Sequence, residues 1–431
     1  MSHIIGYNLG ALHQASREMN RTIRLTYYPS AGTIDENPVI PRPAIFDLVE
    51  DLHKDNLPSP AQCAVHLELL EVFHALRIRV IDSKALDEVF NLGEATKKVY
   101  RRRFVKGLNK RVNEEITVRN AVWENNRDNK WTFYLGRAAK RFLEWANDYN
   151  TFLASKRSKD DLDDGVAEIL MIEPSLLPPV DVLMVWHAFL LNPLDFLGYC
   201  DEKSWNYLPK VAFPWKLIHK AISSQGTIRD TWKYTAHGNP SIRDDLLSSI
   251  IEQGKKETLH INQSPSSFMI TQLVGNVERQ RVFVRKMNAH LWIRSPALQG
   301  TLGRAVERYE KYLQLLKLYP GKMLVPTLDI DLVWHTSQLS PTAYKASMKA
   351  RCSRFINHDD KIGKHKLATG NDETQVLYRI RFGLEYSICL CWECQAIMSA
   401  VEDVEREEQF DEARPEKFEE NLADKILADV E

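Results

Sequence analysis

Residues 178–193 read Pro-Pro-Val-Asp-Val-Leu-Met-Val-Trp-His-Ala-Phe-Leu-Leu-Asn-Pro, and residues 326–341 read Pro-Thr-Leu-Asp-Ile-Asp-Leu-Val-Trp-His-Thr-Ser-Gln-Leu-Ser-Pro. At a constant offset of 148, Asp181 matches Asp329, Trp186-His187 match Trp334-His335, and Pro193 matches Pro341. A duplicated unit of this kind decides the architecture before any single residue is weighed. Val182, Val185, Trp186 and Phe189 fall at i, i+3, i+4 and i+7, as do Ile330, Val333, Trp334 and Ser337. That spacing predicts a helix with the tryptophan in its buried stripe. Asp181 and Asp329 then stand in the first turn, where a carboxylate meets unpaired N–H groups and the positive end of the dipole. Asn192-Pro193 and Ser340-Pro341 end each helix and start the next.

Working outward, Leu135-Gly136-Arg137-Ala138 matches Leu302-Gly303-Arg304-Ala305 at an offset of 167, each opening a charged helix with aromatic residues. The two offsets differ by an insertion placed in the charged loop Lys156–Glu173, since loops absorb insertions most easily. Ala61–Leu76 has helical spacing of Val65, Leu69, Val72, Phe73 and Leu76, with Ser59-Pro60 as its start signal. The predicted fold is mostly α: two tandem homologous helical lobes, each with a Trp-His helix, plus an acidic C-terminal tail. The boundaries are 1–43 for an N-terminal segment, 44–225 for the first lobe and 226–267 for a non-helical connecting region. The second lobe is 268–400 and the tail 401–431. A chain of 431 residues exceeds the roughly 250–300 at which one core keeps growing.

The net charge of −1 conceals an asymmetry. The segment from Glu402 onward is strongly acidic, whereas Lys97–Arg111 holds basic residues and no acidic one. Arg101, Arg102, Arg103, Lys106, Lys110 and Arg111 form either a solvated helix face or a contact for nucleic acid or anionic lipid. The start of the chain shows no secretory pattern and no apolar run reaches the ~18 residues of a membrane span. The six cysteines are therefore expected as reduced thiols in an intracellular protein, cytoplasmic and/or nuclear.

His187 and His335 lie about 100° round from the tryptophans. A structural hydrogen bond, a metal or catalytic role, and a ligand contact are all open to them. His335 has Asp331 one turn earlier and His187 has Leu183 there, so the two copies are not expected to do one chemical job. The strongest catalytic or metal set is His335 and Asp331 with His358 and Asp360, but His358 is separated from His335 by a further helix. No metal and no cofactor are expected. Cys389, Cys391 and Cys394 read as buried thiols, with soft-metal binding as the alternative.

The residues Leu177-Pro178-Pro179-Val180-Asp181 through Trp186-His187 to Asn192-Pro193, the second copy, and Arg354-Phe355-Ile356-Asn357-His358 resemble the glycine-rich domain-containing protein-like family. The match runs from about Leu57 to Cys394 and is of a fungal-type member without the glycine-rich tail. The family's plant members are linked to growth and stress responses, and the family has no established enzymatic mechanism. Their suggested RNA association belongs to glycine-rich segments, which a chain with 18 glycines lacks. Family members often read Trp-His-x-His. Phe189 and Ser337 stand at the last position here, which removes a potential ligand pair. The resulting expectation is a non-enzymatic protein-interaction or scaffold protein with unidentified protein partners. The alternatives are a metal-dependent enzyme using His335 and Asp331, and polyanion binding through Lys97–Arg111.

Overall fold

Ser59 caps helix α1 (Pro60–Ile81) with a reciprocal pair: its Oγ accepts from the Gln62 N–H at 3.1 Å, and Gln62 Oε1 accepts from the Ser59 N–H at 2.8 Å. From Ala61 to Phe73 every position is buried, so α1 has no solvent face over that stretch and forms the axis of the molecule. The structure is a computed structural model that describes residues 44–51, 57–156, 169–223, 245–262, 267–295, 297–358 and 362–407. Within them are thirteen α-helices and one β-hairpin, so the chain is mostly helical as its periodicity predicted. No single helix among the described residues is long and apolar enough to cross a membrane.

After the short α2 (Lys84–Val89) and the hairpin strands β1 (Thr96–Val105) and β2 (Lys110–Arg119) comes the long α3 (Ala121–Ser155). The first Trp-His stretch is α4 (Val180–Leu190), which breaks at Asn192-Pro193 into α5 (Pro193–Lys203) at 108°. Then follow α6 (Trp215–Ser223), α7 (Leu246–Lys256), α8 (Phe268–His290) and α9 (Leu298–Leu318). The second Trp-His stretch is α10 (Leu328–Gln338), which breaks at Ser340-Pro341 into α11 (Pro341–Cys352). The last two are α12 (Lys364–Phe382) and α13 (Trp392–Glu407). Helices α3, α6, α8, α9 and α10 all pack on α1, and side chains from both halves join one continuous apolar core.

The duplicated residues make equivalent contacts. Trp186 packs on Trp145 of α3 with ring centroids 5.2 Å apart, and Trp334 packs on Tyr312 of α9 at 5.8 Å. Both tryptophans are buried. The carboxylates in the first turns do more than face a dipole. Asp181 meets Arg141 at 3.4 Å and Asp329 meets Arg308 at 2.6 Å, and these two arginines are themselves 167 residues apart.

One substitution separates the copies. Tyr344 stands where the first copy has Phe196, and its hydroxyl accepts from Trp334 Nε1–H at 2.9 Å while donating to Ile356 O at 2.7 Å. Trp186 Nε1–H, in the copy that has phenylalanine at this place, has no hydrogen-bond partner among the described residues. Tyr344→Phe leaves one buried donor and one buried acceptor unmet. It is expected to cost about 1–3 kcal/mol, read as a shift of the urea midpoint at constant slope. An unchanged midpoint would mean that this hydroxyl carries no load.

Two sequence expectations need correction. Lys97–Arg111 is not a helix face: it is the greater part of an antiparallel hairpin whose register runs from Thr96 opposite Arg119 to Val105 opposite Lys110. The β-branched content of both arms favours strand, and Asn109, at φ 42°, supplies the left-handed residue of the turn. Second, the connecting region 226–267 is not wholly non-helical, because α7 lies inside it. Asp245 caps it through the Ser248 N–H at 3.0 Å, and Leu246, Leu247 and Ile250 give it a buried face. Helix α13 runs across the expected boundary at 400, and Glu402 on it is tied to Arg304 of α9 at 2.7 Å. The N-terminal segment 1–43, most of the loop Lys156–Glu173 and the tail beyond 407 lie outside the described residues.

Candidate functional site

Unlike side chains meet on α10 beside the tryptophan, where His358 lies edge-on to the Trp334 ring with centroids 5.1 Å apart. Asp331 and His335, one turn apart, project to the same side, with His335 Nε2 3.3 Å from Asp331 Oδ1. His358 reaches them from the segment after α11. Left-handed Ser353, at φ 59°, turns the chain back. Arg354 then donates to Leu316 O at 2.8 Å, and the Ile356 carbonyl is held by Tyr344. These ties bring His358 Nε2 to 3.2 Å from His335 Nε2 and 3.8 Å from Asp331 Oδ1. The expected separation of the two histidines is therefore overturned: a 23-residue spacing is closed by one helix and a stapled return.

Proton bookkeeping around His358 is tight. Its Nδ1–H donates to Leu191 O at 3.1 Å, at the end of the first Trp-His helix. In the neutral ring this leaves a lone pair on Nε2, directed at His335 and Asp331. Asp331 Oδ1 and His335 Nδ1 are buried without a hydrogen-bond partner among the described residues. Burial alone would raise the Asp331 carboxyl, but His335 and His358 beside it outweigh that and hold it below the usual carboxylate range. Burial pushes the His335 imidazole down to about 4, against the pull of Asp331. At neutral pH Asp331 is thus a carboxylate and His335 a neutral imidazole. An ion bound at about 2.0–2.2 Å places neighbouring ligands roughly 3.0–3.5 Å apart, close to the separations found here. Asp360 lies outside the described residues.

The triad stands at the wall of a cavity of about 470 Å³. Apolar side chains such as Phe283, Leu324 and Ile356 line it together with the cations Arg279, Lys286, Lys322 and Arg354.

His187 does something different. Its Nε2 lies 2.9 Å from Nε2 of His66 on α1, a residue that sequence reasoning did not single out. The direction of this bond follows from the next partner. Thr336 donates its hydroxyl to Leu332 O at 2.7 Å, so its oxygen accepts from His66 Nδ1–H at 2.8 Å. The lone pair of neutral His66 is then on Nε2, and His187 Nε2–H donates into it. Burial depresses both rings, His66 well below the ordinary value and His187 to about 3, with each further disfavoured by neighbouring imidazoles. Leu183 occupies the place of Asp331, so the first copy lacks a carboxylate beside its histidine, as expected. Neither the Trp-His repeat nor helical spacing signals His66, because α1 has no counterpart in the duplicated motif.

Arg101, Arg102, Arg103, Lys106, Lys110 and Arg111 are carried by the exposed hairpin. Lys98 pairs with Glu115 at 2.7 Å and Arg103 with Glu114 at 3.6 Å across its strands. Cys389, Cys391 and Cys394 are not buried thiols. Cys389 is exposed, the other two are half-buried, and Cys389 Sγ lies 3.2 Å from Cys391 Sγ. The three sulfurs lie within 4.8 Å of one another, and no further His, Cys, Asp or Glu joins them among the described residues. A closed tetrahedral site needs a fourth ligand.

Comparison with known proteins places this site. Residues 219–347 match the family model described as glycine-rich domain-containing protein-like. This stretch includes Asp331 and His335 and ends before His358. The chain is similar to glycine-rich domain-containing protein 1 of Arabidopsis thaliana, 28% identical over 224 residues, covering 50% of this chain and 26% of that protein. It is equally similar to glycine-rich domain-containing protein 2 of the same plant, 28% identical over 221 residues, covering 49% of this chain and 26% of that protein. The alignment thus spans about a quarter of each relative's length. No solved structure matches the chain. The matched segment and both relatives agree with the resemblance that the duplicated Trp-His helices carry: the chain is similar to the glycine-rich domain-containing protein-like family over residues 219–347.

Proposed function

We propose that the protein is a metal-dependent enzyme acting on a small anionic organic molecule, with one divalent transition-metal ion per chain held by Asp331, His335 and His358. The observation that carries this reading is the convergence of two Nε2 atoms and one carboxylate oxygen within 3.2–3.8 Å of one another. The scaffold reading rested on duplicated structural residues without a reactive set, and this grouping supplies one in the second copy. Two histidines and one carboxylate suit zinc or ferrous iron and leave positions open for water and substrate. The His358 Nδ1–H bond to Leu191 O is the kind of outer contact that fixes a ligating imidazole. When bound, such an ion supplies Lewis acidity or an activated water. The cations Arg279, Lys286 and Arg354 in the same cavity suit a substrate carboxylate or phosphate. The two halves are read as homologous lobes, supported by the Arg141–Asp181 and Arg308–Asp329 pairs at the repeat offsets.

Elemental analysis tests the proposal. Protein purified from cells supplied with zinc and iron is expected to carry about one equivalent of a single transition metal, the stoichiometry of one three-ligand site. Asp331→Asn, His335→Ala and His358→Ala should each lose it while keeping the parent's circular dichroism. A parent that stays metal-free after incubation with zinc, iron(II) and manganese(II), or variants that all retain the metal, would overturn the reading.

A further inference from the structure

A second cavity, of about 160 Å³, opens on the other side of α8, between that helix and α1, α3 and α4. His187 borders it as His335 borders the first. Its wall is apolar, made largely by Phe73, Trp131 and Met184. Its charged groups are all cationic: Arg77, Arg281 and Arg285, with no carboxylate in the lining.

Two of the lining side chains hold buried donors that no described residue satisfies. Arg77 Nε–H and Trp131 Nε1–H have no hydrogen-bond partner among the described residues. Arg77 reaches Asp128 at 2.8 Å only through its terminal nitrogen, and its own ionisation is depressed by burial and by Arg281 beside it. Arg281 is paired with Glu278 at 2.9 Å, and Arg285 has no ion pair among the described residues. Unmet buried N–H groups are uncommon and ask for an acceptor. Guanidinium groups that crowd one another ask for a negative charge, and a planar fork suits a carboxylate.

We propose that this cavity binds a small organic carboxylate whose apolar body lies against Phe73, Trp131 and Met184 and whose charged end meets Arg77, Arg281 and Arg285. The site is separate from the Asp331–His335–His358 group and does not depend on a metal there. Its volume falls below the ~300 Å³ at which drug-sized pockets begin, so the ligand is small. The apolar wall distinguishes it from a site for inorganic phosphate, which would leave that wall uncovered. The duplicated histidines then mark two diverged sites: one beside Asp331, the other beside Leu183 and the arginines.

Calorimetric titration of the full chain with hexanoate and benzoate tests this, with hexanamide, benzamide and inorganic phosphate as matched probes. The carboxylates are expected to bind at least about tenfold more tightly than the amides, the weight of one charge-assisted hydrogen bond. Arg281→Gln and Arg285→Gln, both at exposed positions, should each weaken carboxylate binding by about tenfold or more without lowering the melting temperature of the free protein. Asp331→Asn should leave it unchanged. Absence of carboxylate binding, equal binding of the amides, equal binding of inorganic phosphate, or indifference to both arginine variants would each overturn the proposal. Loss of binding in Asp331→Asn would transfer the ligand to the other cavity and overturn it as well.

Discussion

Arg308→Ala is expected to destabilise the folded chain by about 3–5 kcal/mol, measured by urea unfolding at pH 7. Its guanidinium donates from Nε to Asp329 Oδ2 at 2.6 Å, and from Nη2 to Thr327 Oγ1 at 3.0 Å and Tyr386 O at 2.8 Å. It also lies over the rings of Tyr378 and Tyr386. Alanine leaves Asp329, 3% exposed, as a buried charge with its partner gone, and leaves the Tyr386 carbonyl unmet. Lysine should rescue little, because an ammonium cannot reach three acceptors in a fixed fork. The first copy provides the control. Asp181 is held more loosely by Arg141, at 3.4 Å, and burial already raises its carboxyl to about 6. A proton can therefore replace the lost arginine there. Arg141→Ala should cost less than Arg308→Ala, and its cost should shrink as pH falls toward 6, because losing Arg141 lifts the carboxyl further and lets the proton bind earlier. If Arg308→Ala unfolds within 1 kcal/mol of the parent, or if the order of the two variants is reversed, the account of the duplicated ion pair is wrong.

Both arginines were within reach of the sequence. Extending the match at offset 167 from Leu135–Ala138 to Arg141 and Arg308 would have named the partners of Asp181 and Asp329. The helical frame was legible because tryptophan in a 3.6-residue stripe has one plausible place, and both copies repeat it. The hairpin was harder. Its strands are solvated on both faces, so no clean alternation of apolar and polar residues survives, and the charge of Lys97–Arg111 dominates the reading. Val99 and Val105 in the first arm and Val112, Ile116 and Val118 in the second, around Lys106-Gly107-Leu108-Asn109, were the weaker signal.

The site was half legible. Asp331 and His335, four apart on one helix, could be paired from spacing alone. His358 could not, since its approach depends on left-handed Ser353 and on the Tyr344–Ile356 bond, neither of which periodicity encodes. His66 was invisible for another reason. Its partners, His187 and Thr336, are 121 and 270 residues away, and only the packing of α1 between the two halves brings them together.

That packing makes the molecule acid-sensitive. His66 and His187 face each other Nε2 to Nε2 at 2.9 Å, with one proton between them. A second proton would set N–H against N–H inside a core that already disfavours charge. Both folded-state values lie below the ordinary 6.5, that of His187 near 3. The unfolded chain therefore takes up protons first as pH falls. The stability these imidazoles contribute is complete above pH 6.5 and is lost from there toward pH 3, at about 1.4 kcal/mol per pH unit for each ring that must stay neutral. Asp181 works the other way. With its folded value near 6 against 3.8 unfolded, acidification between those values favours the fold, by a similar amount per unit for one group. The imidazoles of His66, His187 and His335, the last held near 4, outweigh the one carboxylate, so acidification from pH 6 to 4 costs stability. Urea midpoints taken at half-unit steps from pH 7 to 4 should fall accordingly. His187→Gln keeps a donor at the same depth but cannot be protonated, and should flatten that slope by about one imidazole's share while lowering stability at pH 7. A slope identical in His187→Gln and the parent would show that the buried histidine pair is not what acid attacks.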